Sequence, residues 1–486
     1  MRLSKLAEEI GYAYIGDDVE FTALNIHSRN KVKNALFICL KGGNVDSHNY
    51  AAEAVRNGAV AVVCERRLDV RVPQIIVEDG RAALGKIAAF FYGQPAKRLK
   101  IIGITGTNGK TTTSYMLANI LCSAGKKTGV IGTLGAMYGK KRIRTSLTTP
   151  DPIELNELLA NMWMNGVEYV VMEVSAHALQ LKKLEGIDFS ACIFTNLTQD
   201  HLDFFPSMAE YGNAKQRLFA PPTCSLAILN GDDEMGRKIG AFCEEKGVKT
   251  LYYGLETPAD CFAVITEENL SGTECMLNLN DELCRVSLSL TGRHNVYNAL
   301  AAAACATLLG EGEGIKEGLS SLRGVSGRLE RVLSATRGEI FIDYAHTPDG
   351  LEKALTTLKK HTKGRLICVF GCGGNRDAEK RPLMGEIAAK KANYSVITSD
   401  NPRYEDPLDI IAGIEKGYRR FSTRYVIVPD RRKAISYAIE LLKDGDVLLI
   451  AGKGSEEHQE IMGIKYPFND YTVVEELLEE NASKIW

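Results

Sequence analysis

A glycine-rich segment between a predicted strand and a predicted helix carries the strongest chemical signal in the sequence. It reads GITGTNGKTTT over residues 103–113 and runs into the helix-forming stretch SYMLANIL. Glycines let backbone N–H groups wrap phosphate oxygens without Cβ clashes, and a helix N-terminus adds partial positive charge. Lys110 can reach the β- and γ-phosphates of a nucleotide, and the Thr111 hydroxyl can ligate Mg²⁺. The segment therefore predicts a site for ATP with Mg²⁺.

The spacing of this loop departs from the common phosphate-loop pattern, which would place a glycine where Ile104 stands. The alternative is a strand-to-helix turn that binds nothing. Because the strand, the turn, the Lys-Thr pair and the helix all occur in order, we favour the phosphate site. The loop residues expected to contact the nucleotide are Gly106, Thr107, Asn108, Gly109, Lys110, Thr111 and Thr112.

Polar side chains also end the next two predicted strands of this part of the chain. Glu173 and Ser175 close the run YVVMEVS, and Asp200 and His201 follow ACIFTNL. Open parallel sheets bind ligands at the carboxyl ends of their strands, and a carboxylate suits Mg²⁺. A solvated strand-end glutamate is the alternative for Glu173, and a lone histidine is more often structural. We expect His201 to act with Glu173 because it stands among carboxylates.

The pattern of apolar runs predicts an α/β protein of three domains. Residues 1–96 contain short strands and helices and form a small α/β domain. Residues 97–327 alternate apolar strands with helices, which predicts a parallel sheet, and alternation around Asn280 and Asp281 predicts an antiparallel hairpin. Residues 328–486 repeat the alternation, which predicts a separate, doubly wound, Rossmann-like domain.

Composition narrows the functional class. The formal net charge of −2 gives no electrostatic case for nucleic acid as the main partner. No apolar run reaches the ~20 residues of a membrane span, and the N-terminus lacks the apolar region of a signal peptide. The 12 cysteines are scattered without Cys-x-x-Cys pairs, which favours reduced thiols over zinc or disulfides. We therefore expect a cytoplasmic protein and a monomer.

The loop form G-T-x-G-K-T and the stretch Y-x-x-A-K-x-x-L-F, from Tyr211 to Phe219, resemble the Mur ligase family. The resemblance extends over the whole chain. It implies an ADP-forming acid–amino-acid ligase with a uridine-nucleotide domain, an ATP domain and an amino-acid-binding domain, in that order. It also implies that Lys215 carries a carbamate formed from CO₂ and so becomes negative. The residues alone favour an ordinary surface lysine on a helix.

The same resemblance implies the remaining contacts with ATP and with the sugar-peptide substrate. The expected catalytic residues are Lys110, Glu173, His201 and Lys215, and the expected Mg²⁺ ligands are Thr111, Glu173, His201 and Lys215. Residues expected near ADP are Asn298, Arg328 and Asp343. Residues expected to bind the UDP-sugar peptide are Ser28, Thr148, Thr149, Ser175 and Lys183, where the family usually has Arg at the last position.

The segment TSDNPRYEDP resembles the form found in diaminopimelate-adding members of the family. It contains Asp400, Asn401, Pro402 and Arg403. A guanidinium holds a carboxylate bidentately, so Arg403 suits the second carboxylate of diaminopimelate. A bound lysine would leave Arg403 buried and unpaired, which predicts rejection by about 10⁴-fold. The motif also fits a turn after a strand, and both interpretations can hold together. The other residues expected in this site are Arg376, Gly452 and Glu456.

These residues lead to one expected reaction. ATP phosphorylates the γ-carboxylate of D-Glu in UDP-MurNAc-L-Ala-D-Glu, and the amine of meso-diaminopimelate attacks the acyl phosphate. The nearest rivals are a lysine-adding ligase and a folylpolyglutamate synthetase, whose phosphate loop the family places near the chain start. A regulatory protein without ligase activity is the alternative of a different class. It would be expected to have lost Lys110, Glu173, His201 or Lys215.

Overall fold

The computed structural model describes residues 1–43, 45–332 and 337–483. Within these ranges the strands form sheets of five, eleven and six strands and one separate two-stranded hairpin. The fold is therefore a mixed α/β architecture in which each of the three larger sheets follows the previous one along the chain. No helix of the described ranges is long and apolar enough to cross a membrane. All twelve cysteines are free, and most of them are buried.

The first sheet lies in the N-terminal part of the chain and has the strand order β1-β5-β4-β3-β2. Its strands from β2 to β5 pair in parallel, and β1 pairs antiparallel with β5. The elements are β1 Tyr14–Ile15, β2 Ala23–Asn25, β3 Ala35–Ile38, β4 Ala59–Cys64 and β5 Gln74–Ile76, with α1 Leu3–Ile10, α2 Ala51–Arg56 and α3 Gly80–Phe91.

The central sheet has the order β16-β15-β14-β13-β12-β11-β6-β10-β7-β8-β9. Its middle strands pair in parallel, and antiparallel strands extend it at both edges. The strands are β6 Lys100–Thr105, β7 Thr128–Gly132, β8 Gly135–Tyr138, β9 Lys141–Ile143, β10 Tyr169–Glu173, β11 Ala191–Phe194, β12 Leu226–Asn230, β13 Lys249–Gly254, β14 Cys261–Asn269, β15 Gly272–Leu279 and β16 Glu282–Leu288.

Helices pack on this sheet because its middle strands are buried along their length. The two ladders that flank β6 place it between β10 and β11. The helices are α4 Lys110–Ser123, α5 Pro152–Met164, α6 Ala176–Gln180, α7 Met208–Gln216, α8 Glu234–Glu245, α9 Arg293–Leu308 and α10 Ile315–Ser321. The carboxyl ends of β10, β6 and β11 therefore meet at one edge of the sheet, which is where ligands bind in this architecture.

The predicted hairpin is confirmed by the pairing of β15 with β16. Asn280 and Asp281 at its turn have φ values of 55° and 71°, as tight hairpin turns require. The structure adds a third antiparallel strand, β14, on the other side of β15. Buried and half-buried residues alternate along β15, as expected where one face of the strand packs on the core.

The C-terminal sheet has the order β17-β18-β22-β19-β20-β21. All of its strands pair in parallel except β17, which confirms the doubly wound pattern. The carboxyl ends of the neighbouring strands β22, β19 and β20 meet at one edge. The elements are β17 Glu330–Val332, β18 Glu339–Asp343, β19 Leu366–Phe370, β20 Tyr394–Ile397, β21 Tyr425–Ile427 and β22 Val447–Ala451, the hairpin β23 His458–Ile461 with β24 Ile464–Pro467, and α11 Pro348–His361, α12 Lys380–Lys391, α13 Pro407–Tyr418, α14 Arg431–Glu440 and α15 Asp470–Ser483.

Candidate functional site

A cleft of about 820 Å³ lies between the central sheet and the C-terminal sheet. Its walls come from the glycine-rich loop after β6, from the ends of β10 and β11, from α9, and from the segment after β18. We call the residues that line this cleft the nucleotide side. The predicted site residues that line the cleft are Thr107, Asn108, Gly109, Lys110, Thr111, Thr112, Thr148, Glu173, Ser175, His201, Asn298, Arg328 and Asp343.

The glycine-rich loop needs its glycines because its backbone is packed closely against Thr195, which follows β11, and Asn298 of α9. Gly106 and Gly109 have φ values of 147° and 89°, which L side chains rarely adopt. A Cβ at Gly106 would lie 1.9 Å from the Thr195 hydroxyl, and one at Gly109 would lie 2.4 Å from the Asn298 amide oxygen. The loop is held further by Asn196, whose side chain accepts from the Asn108 N–H and donates to the Asn108 carbonyl.

Lys110 is the cation of this loop. Its ammonium donates to the carbonyls of Gly106 and Thr107, each at 2.9 Å. Burial lowers the pKa of Lys110, and the negative charge of Glu173 partly offsets that effect. Within the described part of the chain, no carboxylate lies within ion-pair distance of Lys110. The ammonium is therefore hydrogen-bonded to neutral carbonyls. A phosphate oxygen of a bound nucleotide can take their place as the acceptor.

Glu173 stands at the end of β10 and is 1% exposed. One of its carboxylate oxygens accepts from the hydroxyls of Thr111 and Thr133, both at 3.0 Å, and the other accepts from the Thr133 N–H at 2.9 Å. Arg328 also donates to the Thr111 hydroxyl, at 2.9 Å. The structure thus brings together the two oxygen donors, Thr111 and Glu173, that the sequence assigned to a metal.

Asp200 and His201 follow β11 at the floor of the cleft. His201 has a φ of 57°, an uncommon conformation that occurs at functional sites. Burial lowers the pKa of His201 to about 3, although Asp200 opposes the shift. Burial would raise the pKa of Asp200, but His346 and Lys380 bring it well below its usual range. His201 is therefore neutral near pH 7, and Asp200 is ionised.

Lys215 lies on α7 and is 1% exposed, so the interpretation as a surface lysine is wrong. Its ammonium nitrogen lies 4.2 Å from the centre of the Tyr211 ring. Burial, with a further contribution from the charge of Lys110, lowers the pKa of Lys215 well below its usual value. Burial places Lys215 in an environment that disfavours its charged form. Within the described residues, no group of three or more His, Cys, Asp or Glu side chains can by itself hold a metal ion.

The far wall of the cleft contains the three residues expected near ADP. Asn298 accepts from the Thr113 hydroxyl at 3.3 Å and donates to Asn295 at 3.1 Å. The Arg328 guanidinium lies 4.5 Å from the centre of the Tyr344 ring. Burial raises the pKa of Asp343, although the charge of Arg328 and two backbone N–H donors oppose the shift. These groups surround one face of the cleft with donors and an aromatic ring.

The residues expected to bind the sugar-peptide are only partly brought together. Thr149 donates to the Glu173 carbonyl at 2.9 Å and to the Ser175 hydroxyl at 3.3 Å, so these three residues form one group. Thr148 lies 3.2 Å from Thr133, between hydroxyl oxygens. Two further candidates are engaged elsewhere: Lys183 forms an ion pair with Asp151 at 2.7 Å, and Ser28 donates to Glu53 at 2.8 Å in the N-terminal part of the chain.

The loops after β19, β20 and β22 meet on the C-terminal side of the molecule. We call the loops of residues 371–376, 400–403 and 452–460 the amino-acid loops. Asn401 donates to Glu456 at 2.8 Å, and a Cβ at Gly452 would lie 2.5 Å from the Asp400 carboxylate. A Cβ at Gly373 would lie 2.9 Å from the Arg403 guanidinium and 3.8 Å from the Arg376 side chain. The sequence-predicted residues of this site therefore come together, with Pro402 inside the second loop.

Arg403 differs from expectation in its surroundings. Its side chain is 20% exposed, its Nε lies 3.2 Å from a carboxylate oxygen of Glu460, and one terminal nitrogen donates to the Gly374 carbonyl at 2.8 Å. Because Glu460 already neutralises the guanidinium, a bound lysine would not leave Arg403 unpaired. The expectation that an unpaired Arg403 would cause a 10⁴-fold rejection of lysine is therefore wrong. Any preference for diaminopimelate over lysine must come from the geometry of the bound ligand.

The sequence did not point to roles for three ionisable residues of this region. Lys453 is completely buried beside Asn401 and Glu456. Lys380, also buried, lies 4.0 Å from Asp200, and His346 lies 3.7 Å from the same carboxylate. Lys453 and Glu456 are only three positions apart, but the pairs Lys453–Asn401, Lys380–Asp200 and His346–Asp200 join positions far apart in sequence, so no local pattern signals them. Only the placement of Lys453 between Gly452 and Gly454 hints at a close-packed loop.

Family models match most of the chain. The model described as "Mur ligase family, catalytic domain" matches residues 20–92, the "Mur ligase middle domain" matches residues 104–306, and the "Mur ligase, glutamate ligase domain" matches residues 327–454.

Curated relatives match over nearly their full length. The chain is 42% identical over 485 residues to the UDP-N-acetylmuramoyl-L-alanyl-D-glutamate–2,6-diaminopimelate ligase of Caldanaerobacter subterraneus subsp. tengcongensis, covering 99% of this chain and 100% of that protein. It is 41% identical to the ligase of the same name from Halalkalibacterium halodurans, covering 98% and 99% of the two chains.

Solved structures share the architecture. A structure of a ligase with that name superposes with a TM-score of 0.70 at 32% identity, and 99% of each chain is covered. A folylpolyglutamate synthase from Mycobacterium tuberculosis, complexed with ADP and AMPPCP, reaches a TM-score of 0.64 at 19% identity and covers 76% of this chain and 92% of that one. The second likeness shows a common fold only.

Proposed function

The chain belongs to the Mur ligase family, and we propose that it joins meso-2,6-diaminopimelate to the D-Glu γ-carboxylate of UDP-MurNAc-L-Ala-D-Glu, with conversion of ATP to ADP and phosphate. The observation that carries the proposal is the arrangement of the cleft. The phosphate loop and the Glu173–Thr111 pair line it. The loops that contain Arg376 and Arg403 come together outside that lining, and Arg376 lies 3.9 Å from Asp203, two residues after His201 of the cleft.

We assign the three steps of recognition to the three parts of the chain. Residues 1–96 bind the uridine nucleotide, residues 97–327 bind ATP and the reacting carboxylate, and residues 328–486 bind the amino acid. Ser28 and Lys183 are the expected contacts with the UDP-sugar. We place Thr148, Thr149 and Ser175 nearer the reacting end, because the Thr149 hydroxyl bonds both to the Ser175 hydroxyl and to the Glu173 carbonyl.

The first chemical step is transfer of the γ-phosphoryl group of ATP to the carboxylate of D-Glu. A carboxylate is a poor electrophile, and the acyl phosphate makes its carbon reactive. The backbone of residues 106–112 cradles the phosphates, and the Lys110 ammonium moves from its carbonyl partners to the transferring group. Arg328 and Asn298, which bond to Thr111 and Thr113 beside the loop, are further contacts for the nucleotide.

The donor set of the cleft fits Mg²⁺. Thr111 and Glu173 offer hard oxygen ligands 3.0 Å apart and would hold Mg²⁺ together with phosphate oxygens of ATP. Bound Mg²⁺ neutralises charge on the phosphates. His201 is neutral near pH 7 and so is able to donate a lone pair at the same edge.

We infer that Lys215 is carbamylated. A neutral amine attacks CO₂, a nitrogen–carbon bond forms, and one proton is released, so the side chain becomes an anionic carbamate. The low pKa of the buried Lys215 amine favours the neutral form that this reaction requires. The carbamate supplies the further anionic oxygen ligand that the described His, Cys, Asp and Glu residues do not provide in sufficient number.

The second chemical step joins the amino acid. The amine of diaminopimelate attacks the acyl phosphate, a tetrahedral intermediate forms, and phosphate leaves as the amide bond is made. Arg403 retains free N–H groups at its outer edge after bonding to Gly374 and pairing with Glu460, and this edge can hold the distal carboxylate bidentately. Arg376 is half exposed and provides a second cation for the same end of the ligand.

Release of phosphate with purified full-length protein, ATP, Mg²⁺ and UDP-MurNAc-L-Ala-D-Glu tests the proposal. Addition of meso-diaminopimelate should raise the rate by at least about 100-fold over the rate without an amino acid. An equal stimulation by lysine would replace the proposed substrate with lysine, which the Glu460 pairing leaves as the second candidate. No response to either amino acid would overturn the ligase assignment.

A further inference from the structure

A completely buried lysine lies behind the amino-acid loops. Lys453 is 0% exposed and donates to the Asn401 amide oxygen at 3.0 Å and to one carboxylate oxygen of Glu456 at 2.8 Å. Glu456 itself is 28% exposed at its side chain, so it is open to a ligand while its lysine partner is not. Lys453 therefore cannot touch the amino acid directly, and any influence on binding must pass through its two partners.

The bonds to Lys453 determine which way the Asn401 amide points. An amide group can be flipped, but an ammonium only donates, so it must face the amide oxygen. The Glu460 backbone N–H donates to the same oxygen at 2.9 Å. The amide NH₂ consequently faces Glu456, to which it gives one hydrogen. Its second hydrogen has no acceptor among the described residues, and Asn401 is 4% exposed, so a ligand would have to reach this hydrogen from within the loops.

The same contacts engage one carboxylate oxygen of Glu456 and leave the other for a ligand. One oxygen accepts from both Lys453 and Asn401. The other has no hydrogen-bond partner among the described residues. The result is a fixed pair of complementary groups in the amino-acid loops: an N–H donor on Asn401, suited to a carboxylate, and a carboxylate oxygen on Glu456, suited to an ammonium. An α-amino acid centre carries both of these charges on one carbon.

We propose that Lys453 is a positioning residue that sets the polarity of the Asn401–Glu456 pair and thereby allows it to recognise an amino-acid centre. The inference rests on the proposed function, because it assumes that the amino-acid loops bind the second substrate. It predicts an effect on that substrate alone, since Lys453 is not among the residues that line the nucleotide cleft.

Hydrogen bonds from the buried Arg431 hold the backbone next to Lys453 and Asn401 in place. The fully buried Arg431 forms an ion pair with Asp470 at 2.7 Å and donates to the Ala451 carbonyl at 3.0 Å and the Ser399 carbonyl at 3.4 Å. These carbonyls immediately precede the two loops that contain Lys453 and Asn401. Because the backbone is held there, replacing Lys453 alters the hydrogen bonds of its partners more than the path of the loops.

The first experiment replaces Lys453 with methionine, which keeps the length of the side chain and removes its ammonium. Phosphate release is measured at saturating ATP and UDP-MurNAc-dipeptide while meso-diaminopimelate is varied. The KM for diaminopimelate should rise by about 100-fold, because a buried charge partner is lost, and the KM for ATP should stay within threefold. Lys433→Met, at an exposed lysine of the same domain, is the matched control and should keep both constants.

The second experiment separates positioning from packing by repeating the substitution in a Glu456→Gln background. If Lys453 acts by orienting Glu456 and Asn401, Lys453→Met should raise the KM for diaminopimelate by less than threefold in that background. A rise of about 100-fold in both backgrounds would assign the effect to packing and overturn the proposal. A KM unchanged by Lys453→Met in the wild-type background would also overturn it.

Thermal unfolding of each variant shows whether it is folded. If Lys453→Met alone does not fold, the double variant removes both charges and is compared with Glu456→Gln. An equal KM for diaminopimelate in these two proteins supports the proposal, and a KM about 100-fold higher in the double variant contradicts it. Wild-type protein that releases no phosphate in response to diaminopimelate would instead reject the proposed function, so the two failures are distinguishable.

Discussion

The nucleotide side and the amino-acid loops treat their cations in opposite ways. Lys110 donates hydrogen bonds to two backbone carbonyls. Arg328 donates to the Thr111 hydroxyl and lies over the Tyr344 ring. In the amino-acid loops, Arg403 pairs with Glu460 and Lys453 pairs with Glu456. Lys110 and Arg328 therefore have no bonded counterion among the described residues, whereas Arg403 and Lys453 do. The contrast holds for these cations and not for the whole cleft, where Arg293 pairs with Glu256 and Lys353 with Asp349.

The difference corresponds to the charge of the ligands. ATP is a polyanion, so a site with unbalanced cations gains from its arrival. Diaminopimelate carries two ammonium and two carboxylate groups and has no net charge, so its site needs alternating donors and acceptors rather than an excess of either. If the proposed ligands bind there, Lys110 and Arg328 favour ATP by ionic attraction, and the amino-acid loops select their ligand by geometry.

The largest effect should come from removing the unbalanced cation. Lys110→Met should lower kcat by about 10³-fold, because the ammonium that stabilises the transferring phosphoryl group is lost. Lys127→Met, at an exposed lysine just beyond the same helix, should keep normal activity. Steady-state phosphate release measures both. If the Lys110→Met enzyme keeps more than a tenth of the normal kcat, the Lys110 ammonium does not stabilise the transferring phosphoryl group.

The buried lysine of the nucleotide side should be nearly as sensitive. Lys215→Ala should lower kcat by at least about 100-fold, because the anionic ligand formed from CO₂ cannot form. Added acetate or propionate should restore part of the activity, since a small carboxylate fits the space vacated by the side chain. Sodium chloride at the same concentration is the control. Absence of any dependence on carboxylate, together with unchanged wild-type activity after removal of CO₂, would contradict carbamylation.

The amino-acid loops should show a smaller effect that is confined to one substrate. Arg403→Lys should raise the KM for meso-diaminopimelate by about 30-fold, because an ammonium cannot hold a carboxylate bidentately. The KM for ATP should not change. Arg420→Lys, at an exposed arginine of the same domain, serves as the control. A parallel rise in both KM values would mean that Arg403 maintains the fold of the domain rather than reading the ligand.

The smallest effect concerns stability in acid on the nucleotide side. Burial, together with the charge of Lys353, lowers the pKa of His294 to about 4, from an ordinary value of 6.5. The unfolded chain therefore binds more protons between these values, so stability is present above pH 6.5 and is lost as pH falls towards 4. The loss attributable to this group is at most about 3 kcal/mol.

Denaturant unfolding of wild-type protein and His294→Gln at pH 7.5 and pH 4.5 measures that loss. The variant should lose less stability than wild-type protein over this interval, by about 1–2 kcal/mol, because it has no imidazole to protonate. Parallel losses in the two proteins would show that other groups, and not this wall of the nucleotide side, account for the acid sensitivity.

Much of the architecture was readable from local patterns in the sequence. Continuous apolar runs predicted the buried parallel strands, and alternation around Asn280 and Asp281 predicted the hairpin that the structure contains. The glycine-rich loop was readable because its chemistry lies within eleven consecutive residues. The third antiparallel strand, β14, was not predicted because its alternation is interrupted by a bulge between Ile265 and Glu267.

The sequence by itself determined the kinds of groups available to the site: a phosphate loop, strand-end carboxylates and arginines that follow a strand. Only the tertiary structure decided which of them meet. The placement of β6 between β10 and β11 brings Glu173 to Thr111 across 62 positions, and the order β22-β19-β20 brings Lys453 to Asn401 across 52. Burial of Lys215 and the pairing of Arg403 with Glu460 depend on the same long-range contacts, because strand order and helix packing arise from the whole chain rather than from local spacing.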